Sequence, residues 1–227
     1  MCFACRWVGR RLGLPLAPVF PVRLCPLPGP LYAVLLGYKE SPVGEARRRF
    51  APKVSALFDG FLASHARCLA EAAGGPLALA LPVPSTARPG GSPLHQVEGL
   101  AAAVRDRAGG AHWSARLLVR SGAPVGHMRP DARAFEVPAA FRPDVAGRRA
   151  LLLDDTYVSG SRAQSAAAAL RRAGAASVVI VVLGRVLRPD RSAAHAAFLC
   201  HCRAPVAATG GGTVPCCRCV QAGASTE

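Results

Sequence analysis

A chain of 227 residues, 51% of them apolar, has the length of one ordinary domain and enough apolar surface to bury a core. Aromatic residues make up only 6%, so that core must be mainly Ala, Val and Leu, and no apolar stretch reaches the ~18–20 residues of a membrane span. Charge is sparse at 18% yet unbalanced, 28 basic against 13 acidic residues for a net +15, and nearly all of it is arginine because Lys39 and Lys53 are the only lysines. Two readings of that balance stay open: a surface that attracts polyanions such as nucleic acid, or plain composition in a chain rich in Ala, Arg, Gly and Pro. The arginines form no long run beyond Arg47-Arg48-Arg49, which suits the second.

Residues 1–30 are rich in Pro, Cys and Arg and show no periodicity. Early arginines are not followed by an apolar export segment, because Pro15, Pro18 and Pro21 interrupt it, so a cytoplasmic chain is expected. Leu31 to Tyr38 is an apolar stretch of either strand or helix type. From Arg47 to Glu71 the apolar residues Phe50, Val54, Leu57, Phe61, Leu62 and Leu69 recur at helical spacing, and Gly74-Gly75 stops them. Leu77 to Val83, closed by Pro82 and Pro84, reads as a buried parallel strand. A second helix is expected over Leu94 to Arg107 and a short strand over Ala115 to Val119.

Arg120 to Pro143 is a long segment of mixed polarity, the kind that is functional or disordered in a compact domain. Ala150 to Leu153 is a strand ending in two aspartates, Arg162 to Ala173 an Ala-rich helix stopped by Gly174, and Ser177 to Leu183 a buried strand. Strands alternating with helices at this spacing predict an α/β fold, a parallel sheet with helices on both faces. The domain division expected is a Cys/Pro-rich segment at 1–30, an α/β domain at 31–204 and a Gly/Cys-rich tail at 205–227 that reads as a flexible linker.

The sharpest signal is Leu151-Leu152-Leu153-Asp154-Asp155-Thr156-Tyr157-Val158-Ser159-Gly160-Ser161, followed directly by a helix. A buried strand delivers two carboxylates to the C-terminal edge of a parallel sheet, where open α/β folds bind ligands. The loop that follows offers hydroxyls and backbone N–H groups, and the helix start adds the positive end of its dipole. Gly160 permits close backbone approach and φ > 0. Carboxylates cannot bind a phosphate but accept hydrogen bonds from ribose hydroxyls, so a sugar phosphate fits the whole segment. The plainer alternative is that the aspartates cap the helix and the loop is an ordinary βα turn.

This segment resembles the phosphoribosyl-pyrophosphate (PRPP) motif of the type I phosphoribosyltransferases. The resemblance implies that Asp154 and Asp155 hold the ribose 2′- and 3′-hydroxyls while Thr156, Tyr157, Val158, Ser159, Gly160 and Ser161 cradle the 5′-phosphate. Further stretches are similar to the ComF-like (competence protein) branch: Leu36-Gly37-Tyr38-Lys39, the strand end Leu81-Pro82-Val83-Pro84-Ser85, and Ala134-Phe135-Glu136-Val137 closing an Arg-rich loop from Arg129. Where that branch has Arg-Gly-Phe-Asn-Gln, this chain reads Ser92-Pro93-Leu94-His95-Gln96 and lacks the Arg and Asn.

The reaction implied is transfer of a phosphoribosyl group from PRPP to a nitrogenous acceptor with release of pyrophosphate. Such chemistry needs orientation and cations near the leaving oxygens, with Mg²⁺ on the phosphates as the implied cofactor. Pyrophosphate-side candidates are Lys39, Pro84, Ser85, Arg88, Arg129 and Arg133, each cation having a solvated surface role as its alternative. A non-catalytic PRPP sensor or DNA-uptake accessory on the same fold is the competing function. The expected partners are PRPP or a nucleotide, nucleic acid for the positive charge, and a second copy of the chain as a homodimer.

Eight of the nine cysteines crowd the two ends, Cys2, Cys5 and Cys25 at the start and Cys200, Cys202, Cys216, Cys217 and Cys219 at the close. A secreted disulfide scaffold does not suit a chain of this kind without an export signal, and terminal clusters in a reduced compartment suggest metal. The ComF-like branch often carries an N-terminal zinc ribbon of two Cys-x-x-Cys pairs; here Cys2 and Cys5 form one pair and Cys25 stands alone. Zinc on Cys2, Cys5, Cys216 and Cys219 is therefore expected, with free thiols in the tails as the alternative. Cys68, alone on a helix, reads as packing.

Overall fold

The computed structural model describes residues 3–32, 35, 44–85 and 93–208, with the side chains of 44–49, 93 and 201–208 outside the description. In chain order the elements are α1 (Phe3–Leu12), β1 (Val19–Pro26), α2 (Gly44–Ala73), β2 (Leu79–Pro82), a 3₁₀ turn (Pro93–Gln96), α3 (Leu100–Arg107), β3 (His112–Trp113), β4 (Val119–Arg120) and β5 (Phe135–Glu136). They continue as a 3₁₀ turn (Ala139–Phe141), α4 (Arg142–Val145), β6 (Arg149–Tyr157), α5 (Ser161–Arg172), β7 (Ser177–Leu187) and α6 (Ala193–Ala208).

The chain is an α/β protein. Five strands pair in the order β1-β7-β6-β2-β3, every pairing parallel, while β4 and β5 form a separate antiparallel pair. Helices cover both faces because every second residue of a strand points the same way. From β6 and β7, Leu151, Leu153, Val179, Val181 and Leu183 pack with Val54, Phe58, Leu62 and Leu69 of α2 and Leu100 and Val104 of α3. Their neighbours Ala150, Leu152, Val178, Ile180 and Val182 face Ala163, Ala166, Ala167 and Leu170 of α5. Strands buried on both sides carry no polar alternation, and the continuous apolar runs of the sequence reflect that. The row of small alanines on α5 lets that helix lie close to the sheet.

The N-terminal residues are part of this architecture, contrary to the reading that the first thirty lack periodic structure. β1 is an edge strand paired in parallel with β7 from Val19↔Ile180 to Pro26↔Leu187. Its prolines hid it, yet an edge strand tolerates Pro because one side of its ladder stays unpaired. Just before it, the buried Gln164 amide of α5 accepts from Ala17 N–H at 2.8 Å and donates to Ala17 C=O at 2.9 Å. α1 packs on the same helix, with Val8 and Leu12 against Ala168.

Other boundaries shift. The expected helix at 94–107 is a 3₁₀ turn and then α3, with Gly99 (φ 78) between them. The strand expected over 115–119 is two pairs of residues, β3 before it and β4 at its end. α6 runs to Ala208, so residues 205–208 continue a helix rather than open a linker. Among the described residues no helix is long and apolar enough to cross a membrane.

Candidate functional site

β6 lies at the centre of the sheet and is the strand that carries Asp154 and Asp155 out of its C-terminal end. Both are 3% exposed. By alternation Asp154 extends the row of Ala150 and Leu152 towards α5. The chain then turns through Tyr157-Val158-Ser159 and enters α5 at Gly160, which takes a left-handed φ of 83. Helical bonding starts at once, Gln164 N–H donating to Gly160 C=O at 2.9 Å, which leaves the N–H groups of the first turn directed at the loop.

A cavity of about 210 Å³ opens here, walled by Asp154, the whole run Thr156 to Ser161, Arg162 and Ala163, with Val125, Gly126 and His127 across from them. All six residues expected of the anion loop therefore meet in one cavity with the first aspartate. Loop hydroxyls are organised among themselves: Ser159 Oγ and Ser161 Oγ lie 3.0 Å apart, and Ser159 Oγ accepts from Ser161 N–H at 3.4 Å.

Gly160 has a second reason beyond close approach of an anion. A Cβ there would overlap the Tyr157 ring, which folds back beneath the turn with only 4% of the residue exposed. Arg185 of β7 stands 5.9 Å from the centroid of the same ring and 4.3 Å from that of Phe198 on α6, fixing the floor of the site.

No protein-family model matches the chain, and no curated protein matches it. The geometry must carry the reading alone.

Two residues of the site had no role in the sequence reading. Arg162, in the first turn of α5, pairs through Nη2 with Asp154 Oδ1 and, at 3.1 Å, with Asp155 Oδ1. Its side chain is 25% exposed. Burial opposes its charge, but the two carboxylates outweigh burial and push the guanidinium pKa up, so it is a cation at every accessible pH. An arginine where the helix dipole disfavours a cation was the available signal.

The second is His127, at the tip of a tight turn closed by mutual Gly126–Arg129 backbone bonds. Met128 beside it adopts φ 56, uncommon for a residue with a side chain. Its N–H donates to Ser159 Oγ at 3.2 Å and its C=O accepts from Trp7 Nε1–H at 3.1 Å. The turn is thus held to the anion loop on one side and to α1 on the other.

The pyrophosphate-side candidates fare differently. Pro84 and Ser85 follow β2 at the same sheet edge, where Val83 N–H donates to Leu153 C=O at 2.8 Å, but they do not line the cavity. Arg129 is exposed, and Arg133, 84% exposed, pairs with Asp131 at 3.5 Å; neither is part of the cavity wall. Lys39 and Arg88 lie outside the described residues, as do Cys2, Cys216 and Cys219. Cys5 is half-buried on α1, whereas Cys25 is closed in the core, where burial pushes its thiol pKa up and away from the thiolate a metal needs. Among the described residues no three His, Cys, Asp or Glu converge as a metal-binding group.

Proposed function

We propose that the chain is a type I phosphoribosyltransferase-like protein of the ComF kind that binds PRPP or a ribose 5-phosphate nucleotide. It transfers the phosphoribosyl group to a nitrogenous acceptor and releases pyrophosphate. One observation carries the reading: two buried adjacent carboxylates stand at the C-terminal edge of a parallel sheet, and the first of them, Asp154, shares a single cavity with a Ser-Gly-Ser turn at a helix N-terminus. The carboxylates accept the ribose hydroxyls, and the turn and first-turn N–H groups take the 5′-phosphate. Mg²⁺ suits this site as a companion of the ligand: its oxygens would come from pyrophosphate and water, since Arg162 already engages both carboxylates.

A second reading, PRPP sensing without turnover, is favoured by the exposed positions of Arg129 and Arg133, which leave Arg162 as the cation in the cavity wall among the described residues. Calorimetry on the purified chain tests the first step common to both. With Mg²⁺ and millimolar PRPP the wild type is expected to give saturable heat, and pyrophosphate release in the presence of acceptor bases then separates transferase from sensor. Absence of any PRPP or ribose 5-phosphate binding at millimolar ligand rules out both.

Zinc on Cys2, Cys5, Cys216 and Cys219 is a separate proposal, supported by the paired spacing at the two ends of the chain. Protein purified under reducing conditions is expected to hold close to one equivalent of zinc and to lose stability on chelation, because structural zinc contributes folding free energy. Zinc well below stoichiometry, with unfolding unchanged by chelator, removes it.

A further inference from the structure

A single exposed apolar side chain is ordinary on a protein surface. Here the three large ones among the described residues, Phe3, Trp7 and Val158, follow one another around a single turn. Val158 is in the cavity wall. Its neighbour Ser159 accepts from Met128 N–H, and Met128 C=O accepts from Trp7 Nε1–H. The Phe3 ring stacks on Trp7 with centroids 6.3 Å apart. An apolar track therefore leaves the cavity at the anion loop and continues onto α1.

α1 adds charge to that track. Val8 and Leu12 turn inwards against Ala168 of α5. The other face brings Phe3, Arg6, Trp7, Arg10 and Arg11 together at helical spacing, all of them exposed. Arg11 stands 5.9 Å from the centroid of the Trp7 ring. Rings on which bases stack, interleaved with cations that follow a phosphate backbone, are what a single-stranded nucleic acid requires.

The cavity sets which strand and which end. On the phosphoribosyl reading a ribose diol is met at Asp154 and its 5′-phosphate in the loop. A strand offers a free 2′,3′-diol only on the ribose at its 3′ end, and only when it is RNA. That terminal nucleotide is joined to the rest of the strand through its 5′-phosphate, the group that the loop beside Met128 would hold.

We propose that the site takes the 3′ end of a single-stranded RNA. The terminal ribose 5-phosphate enters the cavity, the preceding bases stack on Trp7 and Phe3, and the backbone phosphates meet Arg6, Arg10 and Arg11. The proposal rests on the phosphoribosyl reading and names a further occupant of the same site, so RNA and PRPP compete for it. Charge favours a strand over a free dinucleoside monophosphate. The single phosphate of the latter is taken by the loop, which leaves the arginines of α1 nothing to neutralise, whereas a strand supplies further phosphates.

Fluorescence anisotropy on the full chain tests this, with a 5′-labelled oligouridylate of about eight nucleotides, within the length that one such site covers. Saturable binding is expected, and ribose 5-phosphate should displace the RNA. A 3′-phosphate on the RNA, or the DNA counterpart, should bind about tenfold or more weakly, because a hydroxyl contact to a charged acceptor is lost. Phe3→Ala and Trp7→Ala should each weaken RNA about fivefold or more. Phe3→Ala should leave ribose 5-phosphate binding, read by calorimetry, unchanged. Arg6→Ala/Arg10→Ala/Arg11→Ala should lower the log–log salt dependence of RNA binding by about 2, at about 0.7 for each phosphate contact removed.

Equal affinity for the RNA, its 3′-phosphorylated form and DNA overturns the proposal, as does RNA that stays bound when ribose 5-phosphate saturates the cavity. A dinucleoside monophosphate that binds as tightly as the strand overturns it too. Should Trp7→Ala disturb the Met128 turn and lose ribose 5-phosphate as well, Phe3→Ala decides, and RNA affinity equal to wild type there sinks the platform. Wild-type protein that binds ribose 5-phosphate but no RNA removes this proposal and leaves the phosphoribosyl reading standing. Wild-type protein that binds no ribose 5-phosphate removes that reading and this proposal with it.

Discussion

Replacing Asp154 and Asp155 together by Asn is expected to weaken PRPP by at least about tenfold while leaving inorganic phosphate bound. Asn keeps the size of Asp and exchanges a charged acceptor for a neutral one. Hydrogen bonds to charged groups contribute about 1.5–3 kcal/mol each, and about 1.4 kcal/mol is a factor of ten, so loss of even part of each bond passes that threshold. The phosphate arm runs the other way: with both carboxylates neutral, Arg162 leaves the cluster positive, which favours an anion in the loop.

The same substitution tests the fold. Breaking a buried pair by removing one partner costs about 3–5 kcal/mol when a bare charge remains, and the Asn oxygens, still able to accept from Arg162, should hold the loss below that. Urea unfolding alongside calorimetry reads both quantities. Equal weakening of PRPP and phosphate would mean that the carboxylates only support the loop, and the ribose assignment would fall.

What the sequence disclosed and what it hid divide along physical lines. β6 and β7 were legible because strands buried on both faces are unbroken apolar runs, and Val178 to Val182 has no other comfortable home. The turn from Asp154 to Ser161 was legible because its residue types suit one local geometry, strand end to helix start, and that geometry puts Asp154 and Thr156 to Ser161 in one cavity. β1 was hidden by Pro18, Pro21 and Pro26, which an edge position tolerates and a pattern does not reveal. β3, β4 and β5, two residues each, are too short to show a period.

Arg162 and His127 were missed for a different reason. A side chain that reaches back to two residues eight and seven positions earlier, or a turn that hangs on Ser159 and Trp7 from a distant part of the chain, leaves no mark on spacing. Conversely, Arg129 and Arg133 looked suited to a pyrophosphate because arginine in a long irregular segment invites that reading. In the fold, Arg133 meets Asp131 within its own turn, and both arginines stay at the surface.

Gly160→Val is expected to be the most damaging single change in the loop, for two separable reasons. A β-branched residue at φ 83 is strained at about 1–3 kcal/mol. Its Cβ would also overlap the Tyr157 ring, buried beneath the turn and flanked by Arg185, and forcing an extra group into packed surroundings costs about another 1–3 kcal/mol. Urea unfolding should therefore show a loss of about 2–6 kcal/mol, with phosphate affinity lost in whatever fraction stays folded. Introducing Gly160→Val into a Tyr157→Ala background separates the causes, because the overlap disappears and the backbone strain remains. There the added cost should fall to about 1–3 kcal/mol, while phosphate binding stays impaired because the first-turn N–H groups are still misdirected. An unchanged cost in the two backgrounds would mean that the ring does not lie under Gly160. A Gly160→Val protein as stable as wild type would mean that the turn is not left-handed there, and the loop could not present its N–H groups to a phosphate in the manner described.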